Sequence, residues 1–250
     1  MTSTNEIRRS FLDYFGAQGR VRAGALFVTA RPERLRFDVV SPFGMTLSTV
    51  TSDCAVFALL DVPGKTFFTG EAVPCNLARF LRVPVPPHAL VALLAGQAPV
   101  LVHQPGHATI AWDSGRYVVR VAGAHGAREE MRLAVRPEDW PRPWEEQRLR
   151  LERVRVVQQG TVLYDVELDG HAPVRTARPS VDPDGMEPDV PPSGPSCEAE
   201  VPRRLRIVSE VSGEDVVLAH GELAHNPPTP EGTFQQVHPG GVRIRLAACR

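Results

Sequence analysis

The stretch Arg34–Val40, RLRFDVV, places Leu35 and Phe37 on one face of an extended chain and charged residues on the other. This alternation with a period of two is typical of a half-buried β-strand. The next four residues, Ser-Pro-Phe-Gly at 41–44, have the composition of a turn, and residues 45–51 alternate again. The sequence therefore predicts a strand, a turn and a second strand in this region.

The same alternation recurs along most of the 250 residues. It predicts about ten or eleven strands, without internal repeats and without the strand–helix rhythm of a parallel sheet. Residues 10–15 and 232–237 are among the segments that we expect to be extended. We therefore expect one mainly β domain over residues 1–250, a curled antiparallel sheet or incomplete barrel. Residues 178–195 contain six prolines, which predicts an exposed loop instead of a central strand.

Residues 148–157, RLRLERVRVV, contain a break in the alternation. Leu149 and Leu151 alternate with arginines, and Val154 and Val156 resume one position out of phase. A slip of one residue would turn the following side chains to the other face of the sheet. The pattern therefore predicts a β-bulge at residues 152–153, which keeps all four apolar side chains on one face.

Two segments change to a helical period. Residues 76–81 place Leu77 and Phe80 on one face of a short helix. Residues 86–96 form a clearer helix, with prolines near the start and a glycine just past the end. Because the second helix is apolar almost all round, we expect it to be covered on both sides or to lie across an apolar cavity. The two helices would form a lid over the concave face of the sheet.

Charge and hydropathy exclude several classes of protein. The formal net charge is −1, so no global field draws the chain to nucleic acid or anionic lipid. No apolar run approaches the roughly 20 residues of a membrane-spanning helix. The first nine residues are polar and lack the apolar segment of a secretory signal. This indicates either a cytoplasmic protein or a true start that lies upstream.

The residues that usually carry chemistry do not form catalytic or metal-binding patterns. A Gln-Pro-Gly run separates His103 from His107, and His220 and His225 are also in a non-helical context, so neither pair presents ligands on a helical face. The acidic run 182–187 lacks the spacing of a calcium loop. There is no nucleophile elbow, phosphate loop or dinucleotide motif. The sequence predicts no enzyme, metal or cofactor.

Two clusters of residues are candidates for a binding function. The arginines at 148, 150, 153 and 155 form a basic stripe, which we interpret as the wet face of a sheet and not as a nucleic-acid footprint. Residues 140–144, WPRPW, form a stiff aromatic loop. We expect this loop to cap one end of the β core; an anchor at a membrane interface is the alternative.

Several motifs resemble those of the LolA/LolB lipoprotein-localisation proteins and their relatives. Residues 31–44 (RPERLRFDVVSPFG) are similar to the strand and turn of that family, and residues 93–99 (LLAGQAP) to a segment that follows. Residues 222–227 and 239–242 resemble its C-terminal motif, and the match is strongest over residues 20–99. The resemblance implies an incomplete barrel with a helical lid, an apolar cavity for acyl chains, and a periplasmic or outer-membrane-anchored location.

The leading hypothesis is a monomeric cell-envelope protein that binds lipid or lipoprotein acyl chains, each buried CH₂ contributing roughly 0.8 kcal/mol. Apolar residues of the strands and helices would line the cavity. The candidates are Leu35, Phe37, Leu47, Phe57, Leu59, Leu77, Phe80, Leu90, Leu94, Ile110, Trp112 and Ile244. If these side chains simply pack together, the alternative is a non-catalytic outer-membrane lipoprotein that acts as a scaffold or binds other envelope proteins. An enzyme is the weakest hypothesis.

The four cysteines form no metal-binding pair. Counting strand directions places Cys54 and Cys75 at one edge of the sheet, and Cys197 and Cys249 also at one edge. Disulfides within each pair are therefore geometrically allowed and would indicate an oxidising periplasm. Small buried thiols are the alternative.

Overall fold

A computed structural model describes residues 24–41, 43–73, 76, 85–174, 199–211, 213–224 and 229–248. Within them the fold is mainly β, as predicted, with one α-helix, and none of the sheets closes into a barrel. The predicted strand at residues 10–15, the helix at 76–81 and the proline-rich loop at 178–195 lie outside the described residues or almost entirely so.

The first sheet has six strands in the order β1-β2-β3-β4-β5-β15. Its strands are β1 (Gly24–Ala30), β2 (Arg34–Val40), β3 (Thr46–Ser52), β4 (Val56–Asp61), β5 (Thr66–Glu71) and β15 (Arg243–Leu246). β1 to β5 form an antiparallel meander, whereas β15 pairs with β5 in parallel. The sheet is therefore mainly antiparallel, as expected, with one parallel pair at this edge.

The second sheet has seven antiparallel strands in the order β14-β13-β10-β9-β8-β7-β6. Its strands are β6 (Ala108–Asp113), β7 (Arg116–Ala122), β8 (Ala127–Val135), β9 (Leu149–Gln158), β10 (Thr161–Asp169), β13 (Arg204–Ser209) and β14 (Glu214–Ala219). A separate pair consists of β11 (Ala172–Val174) and β12 (Ala199–Val201). Short 3₁₀ turns occupy Ala124–Gly126, Pro137–Asp139 and Trp144–Glu146.

These fifteen described strands exceed the ten or eleven expected. The excess comes partly from β1, whose sequence GALFVTA alternates poorly, and from the three-residue strands β11 and β12. The strand expected at residues 232–237 is absent from the described structure, where turns and irregular chain take its place.

The bulge predicted in β9 is confirmed. Arg132 of β8 pairs with Arg153, while the next residue, Leu133, pairs with Leu151. Glu152 is therefore the extra residue, and the local shift returns the later part of β9 to phase. Leu151 and Val154, on either side of the bulge, are both buried in the core.

The helix predicted at residues 86–96 is confirmed as α1 (Pro87–Leu94). Gly96 adopts φ +71°, its N–H donates to the Leu93 carbonyl, and the N–H of Gln97 donates to the Ala92 carbonyl. These two bonds form a Schellman C-cap, which ends the helix at the glycine. Six of its eight residues are buried, as its uniformly apolar sequence predicts.

One hydrophobic core joins α1 to both large sheets. We call the sheet faces that carry this core the inner faces. The first sheet contributes side chains such as Leu35 and Phe57, and the second contributes Val154, Val166 and Leu205. Within the described residues, no helix is both long and apolar enough to cross a membrane.

The outer face of the first sheet is covered by residues 229–242, here called the strap. Gln236 Nε2 lies 3.1 Å from each of three acceptors, the carbonyl oxygens of Thr49 and Ala58 and the Thr51 hydroxyl. The His238 ring meets the edge of Phe67 at a centroid distance of 6.3 Å. The first sheet is thus covered on both faces, and the strap carries the chain to the start of β15.

Candidate functional site

The predicted lining residues in the middle of the fold are packed against protein. Phe57 is fully buried, and Leu35, Leu59, Leu90 and Leu94 are each no more than 8 % exposed. A side chain that lines a cavity wide enough for an acyl chain keeps surface that water can reach. These five residues, two of them on α1, therefore pack against protein in one core.

The remaining predicted residues of the first sheet and the lid have different positions. Phe37 is half-buried and stacks on Phe27 with a ring-centroid distance of 4.3 Å. Leu47 is the extra residue of an irregularity between β2 and β3 and lies outside the core cluster. Ile244 pairs with Phe67 on the outer face and is 53 % exposed, so its expected place in the inner wall was wrong. Leu77 and Phe80 lie outside the described residues.

Ile110 and Trp112 lie on β6, and all six residues of this strand are exposed. Their expected place in an enclosed wall was also wrong, because β6 is an edge strand whose side chains extend beyond the core. The Trp112 ring packs edge-on against Tyr117 and Trp140, with centroid distances of 4.8 and 5.8 Å. Ile110, Trp112 and Trp140 are each at least half exposed.

β6 differs in its charge from the edge strands β14 and β15. The fourth edge strand, β1, is also uncharged, but its residues 27–30 are half-buried, whereas all six residues of β6 are exposed. β14 carries Asp215 at one edge, and β15 carries Arg243 and Arg245 at another. Charged side chains on an edge strand discourage pairing with another chain. From Ala108 to Trp112 β6 has no charge, proline or bulge. We call its free main-chain edge, together with Ile110, Trp112 and Trp140, the β6 edge surface.

A buried carboxylate holds the aromatic loop beside this surface. Asp139, with no exposed side-chain surface, accepts hydrogen bonds from the backbone N–H and the guanidinium of Arg148, and Arg142 lies 3.2 Å away. The Arg148 hydrogen bond is the main cause that lowers the pKa of Asp139 to about 2. Because Trp140 follows Asp139 directly, this network fixes the position of the indole against Trp112.

The basic stripe lies among carboxylates. Each of its four arginines has an acidic partner: Arg148 pairs with Asp139, Arg150 with Glu200, and Arg153 and Arg155 both with Asp165. Ion pairs of this kind leave little uncompensated positive charge to attract a phosphate backbone.

A second buried carboxylate, Glu129, was missed by the sequence analysis. It is 1 % exposed, and its Oε2 accepts the backbone N–H of Leu101 at 2.8 Å, while Oε1 has no hydrogen-bond partner in the described structure. Burial raises the pKa of Glu129 to about 7. Burial, followed by the charge of Glu129, raises the pKa of Tyr164 as well. A carboxyl with so little exposed surface is poorly placed to reach a substrate.

The sequence did contain a signal for Glu129. In β8, AREEMRLAV, Glu129 stands two residues before Met131 and four before Leu133. It therefore continues the inward-facing alternation, and an acidic residue in such a position is the informative exception.

Of the cysteines, Cys54 lies in the described structure with an exposed, free thiol. Cys75, Cys197 and Cys249 lie outside the described residues, so both disulfide pairs stay predictions.

Comparison with known proteins adds no relative to this picture. The chain matches no protein-family model and no curated protein.

Proposed function

We propose that the chain is a non-catalytic binding module of the cell envelope whose contact surface is the β6 edge surface. The observation that carries the proposal is β6 itself: an edge strand that is exposed at every residue and uncharged from Ala108 to Trp112, with the exposed Trp112 on the strand and the exposed Trp140 beside it. An unpaired edge presents a row of main-chain donors and acceptors to a partner strand. Tryptophans concentrate at protein interfaces. The envelope location rests on the resemblance to the LolA/LolB proteins.

The packed core favours this function over carriage of lipid. Binding through a surface leaves the buried residues Phe57, Leu90 and Leu94 in place. Carriage would require the same side chains to separate. The buried position of Glu129 supports a non-catalytic role, since its carboxyl has little contact with solvent.

Site-specific photo-crosslinking tests the proposal. We would place p-benzoylphenylalanine at position 110, in cells that produce the protein, and use position 217 as the matched control. Val217 is also exposed and lies on β14, the opposite edge of the same sheet. We expect a discrete adduct from position 110 only. Equal adducts at both positions, or none at position 110, would contradict the proposal.

Acyl-chain binding is the second candidate, and the character of α1 favours it. The helix contains no aspartate, glutamate, lysine or arginine and is buried on almost every side. It begins at a proline and is followed by a glycine. If α1 left the core, it would leave an apolar space between the sheets that an acyl chain could fill.

Organic extraction of the purified protein distinguishes the two candidates. Phospholipid or lipoprotein acyl chains found by mass spectrometry at about one per protein would support carriage. Repeated absence of lipid, after preparation from membrane-containing extracts, would exclude a stably loaded carrier and leave the surface module standing.

A further inference from the structure

We infer that the partner of the β6 edge surface is a second copy of this chain, paired strand to strand through β6 about a two-fold axis. The inference rests on the proposed function and names its partner. It also differs from the monomer expected from the sequence.

The hydrogen-bond pattern decides which residues of β6 face the free edge. The Ala122 N–H of β7 donates to the His107 carbonyl at 2.9 Å. In an antiparallel pair, the residues that direct both main-chain groups at the partner alternate along the strand. The register between β6 and β7 is regular, so the odd-numbered residues bond to β7. The N–H and C=O groups of Ala108, Ile110 and Trp112 therefore point away from the sheet.

These three residues fix the geometry of a symmetric pairing. A two-fold axis perpendicular to the sheet brings β6 of two copies together antiparallel, with the inner faces on the same side. Outward-facing residues must then oppose each other. The longest overlap places Ile110 opposite Ile110 of the second copy, and Ala108 opposite Trp112. About six main-chain hydrogen bonds would join the two strands.

Side chains match in this register. The large Trp112 faces the small Ala108, and Thr109 faces Ala111, so bulky groups do not collide. Just beyond, His107 faces Asp113 of the second copy, which places a potential cation opposite an anion at each end of the interface. Cross-strand pairs of complementary size and charge stabilise antiparallel sheets. The strand is thus complementary to itself at each of these positions.

The dimer would join the two seven-stranded sheets into one continuous sheet. Isologous two-fold contacts are the commonest way in which identical chains associate. Edge pairing would remove the unprotected edge of β6 and bring the exposed Trp112 of each copy onto the inner face of the other.

Ile110→Pro tests the pairing directly. Proline removes the N–H that points at the second copy, whereas the hydrogen bonds to β7 come from odd-numbered residues and stay intact. Ile110→Ala is the matched control because it shortens the side chain and keeps the N–H. By light scattering across a dilution series, we expect wild type and Ile110→Ala at twice the 27.4 kDa of one chain. We expect Ile110→Pro at the mass of one chain, with an unchanged β-sheet circular dichroism spectrum.

Cysteine substitution tests the register. Ile110→Cys would face itself at a Cα–Cα distance of about 5.5 Å, within the range of a disulfide. Thr109→Cys would lie about 8 Å from its own copy, beyond that range. Peptide mapping after mild oxidation should find the 110–110 link and little of the 109–109 link. The reverse result would overturn the register.

Failure of the dimer can be told apart from failure of the proposed function. A wild-type chain that stays at the mass of one molecule overturns the dimer. If position 110 then photo-crosslinks a different protein, the binding module stands with another partner. If the chain instead floats with phosphatidylcholine vesicles, and Trp140→Ala abolishes flotation, a membrane is the partner and the inference is overturned.

Discussion

The outer faces of the two large sheets differ in their exposure to solvent. The first sheet places Asp38, Thr49 and Thr51 on its outer face and buries them beneath the strap. The second sheet places arginines and carboxylates there and leaves them at the surface, as in the pairs that Asp165 makes with Arg153 and Arg155. Both faces carry polar side chains, yet only one of them is covered.

The difference lies in how many hydrogen bonds each side chain needs once water is removed. A threonine hydroxyl can be satisfied by one or two neighbours, and in the first sheet Thr49 donates to Asp38 while Thr51 accepts from Gln236. A guanidinium carries five donors and a full charge, so its burial requires several partners at once. A row of arginines therefore indicates an open face, whereas a row of threonines is compatible with a covered one.

Removing the anchor of the strap should have the largest effect on this contrast. Gln236→Ala deletes the amide that reaches three acceptors. We expect the free energy of unfolding to fall by about 2 kcal/mol, because buried acceptors lose a partner. Urea denaturation measures the change. The control is Gln235→Ala, which removes one exposed bond of 3.2 Å to Asp53 and should change little. Equal losses would show that Gln236 does not anchor the strap.

Glu129, on the inner face of the second sheet, should make the free energy of unfolding depend on pH. Burial raises the pKa of Glu129 to about 7 in the folded chain, from its ordinary value of 4.5. The folded state thus holds this proton more tightly than the unfolded state, so this group makes stability fall as pH rises from about 4.5 to 7. Glu129→Gln removes that slope. We expect the free energy of unfolding of the variant to match that of wild type near pH 4.5 and to exceed it by roughly 3 kcal/mol at pH 8.

The control for this prediction is the next residue along β8. Glu130 points to the outer face, where it meets Arg120 and Arg132. Glu130→Gln should leave the pH slope in place. Chemical denaturation at a series of pH values provides the measurement, and a slope retained in Glu129→Gln would assign it to another group.

A substitution on the outer face of the second sheet should change the stability least. Arg153 donates two hydrogen bonds to Asp165, at 2.8 and 2.6 Å, and is partly exposed. Exposed ion pairs contribute little, so Arg153→Ala should cost less than about 1 kcal/mol. The cost should shrink further in 1 M NaCl. Arg153→Lys keeps the charge but not the two parallel hydrogen bonds. In thermal unfolding, its midpoint temperature should lie between those of wild type and Arg153→Ala. A loss as large as that of Gln236→Ala would remove the contrast between the sheets.

Local patterns predicted much of this fold because they depend on neighbours in the sequence. The phase break in residues 148–157 located the bulge at Glu152, and the flanking proline and glycine located α1. Residues 232–237 were misassigned for an instructive reason. They were expected to form a strand, but the segment lies across a sheet face, held by Gln236.

The candidate site depends on which strands pair with each other, and no single segment of the sequence contains that information. Alternation assigns Ile110 and Ile244 to a face of their own strand, but the position of that strand in the sheet follows from pairing with distant residues. β6 is an edge because its second neighbour is missing from the described strands, and β15 joins β5 across most of the chain. For this reason the apolar residues of both strands were expected inside and are found exposed.

The strap also sets an order for biosynthesis. Gln236 and Thr49 are 187 positions apart. The ribosome must therefore synthesise the whole intervening chain before the strap can cover the first sheet. During that interval the meander of β2 to β5 can form while its outer face meets water. Hydroxyl-bearing side chains such as Thr49 and Thr51 reduce the apolar area that this face exposes in the meantime, which lowers the tendency of the newly made sheet to aggregate before the strap is synthesised.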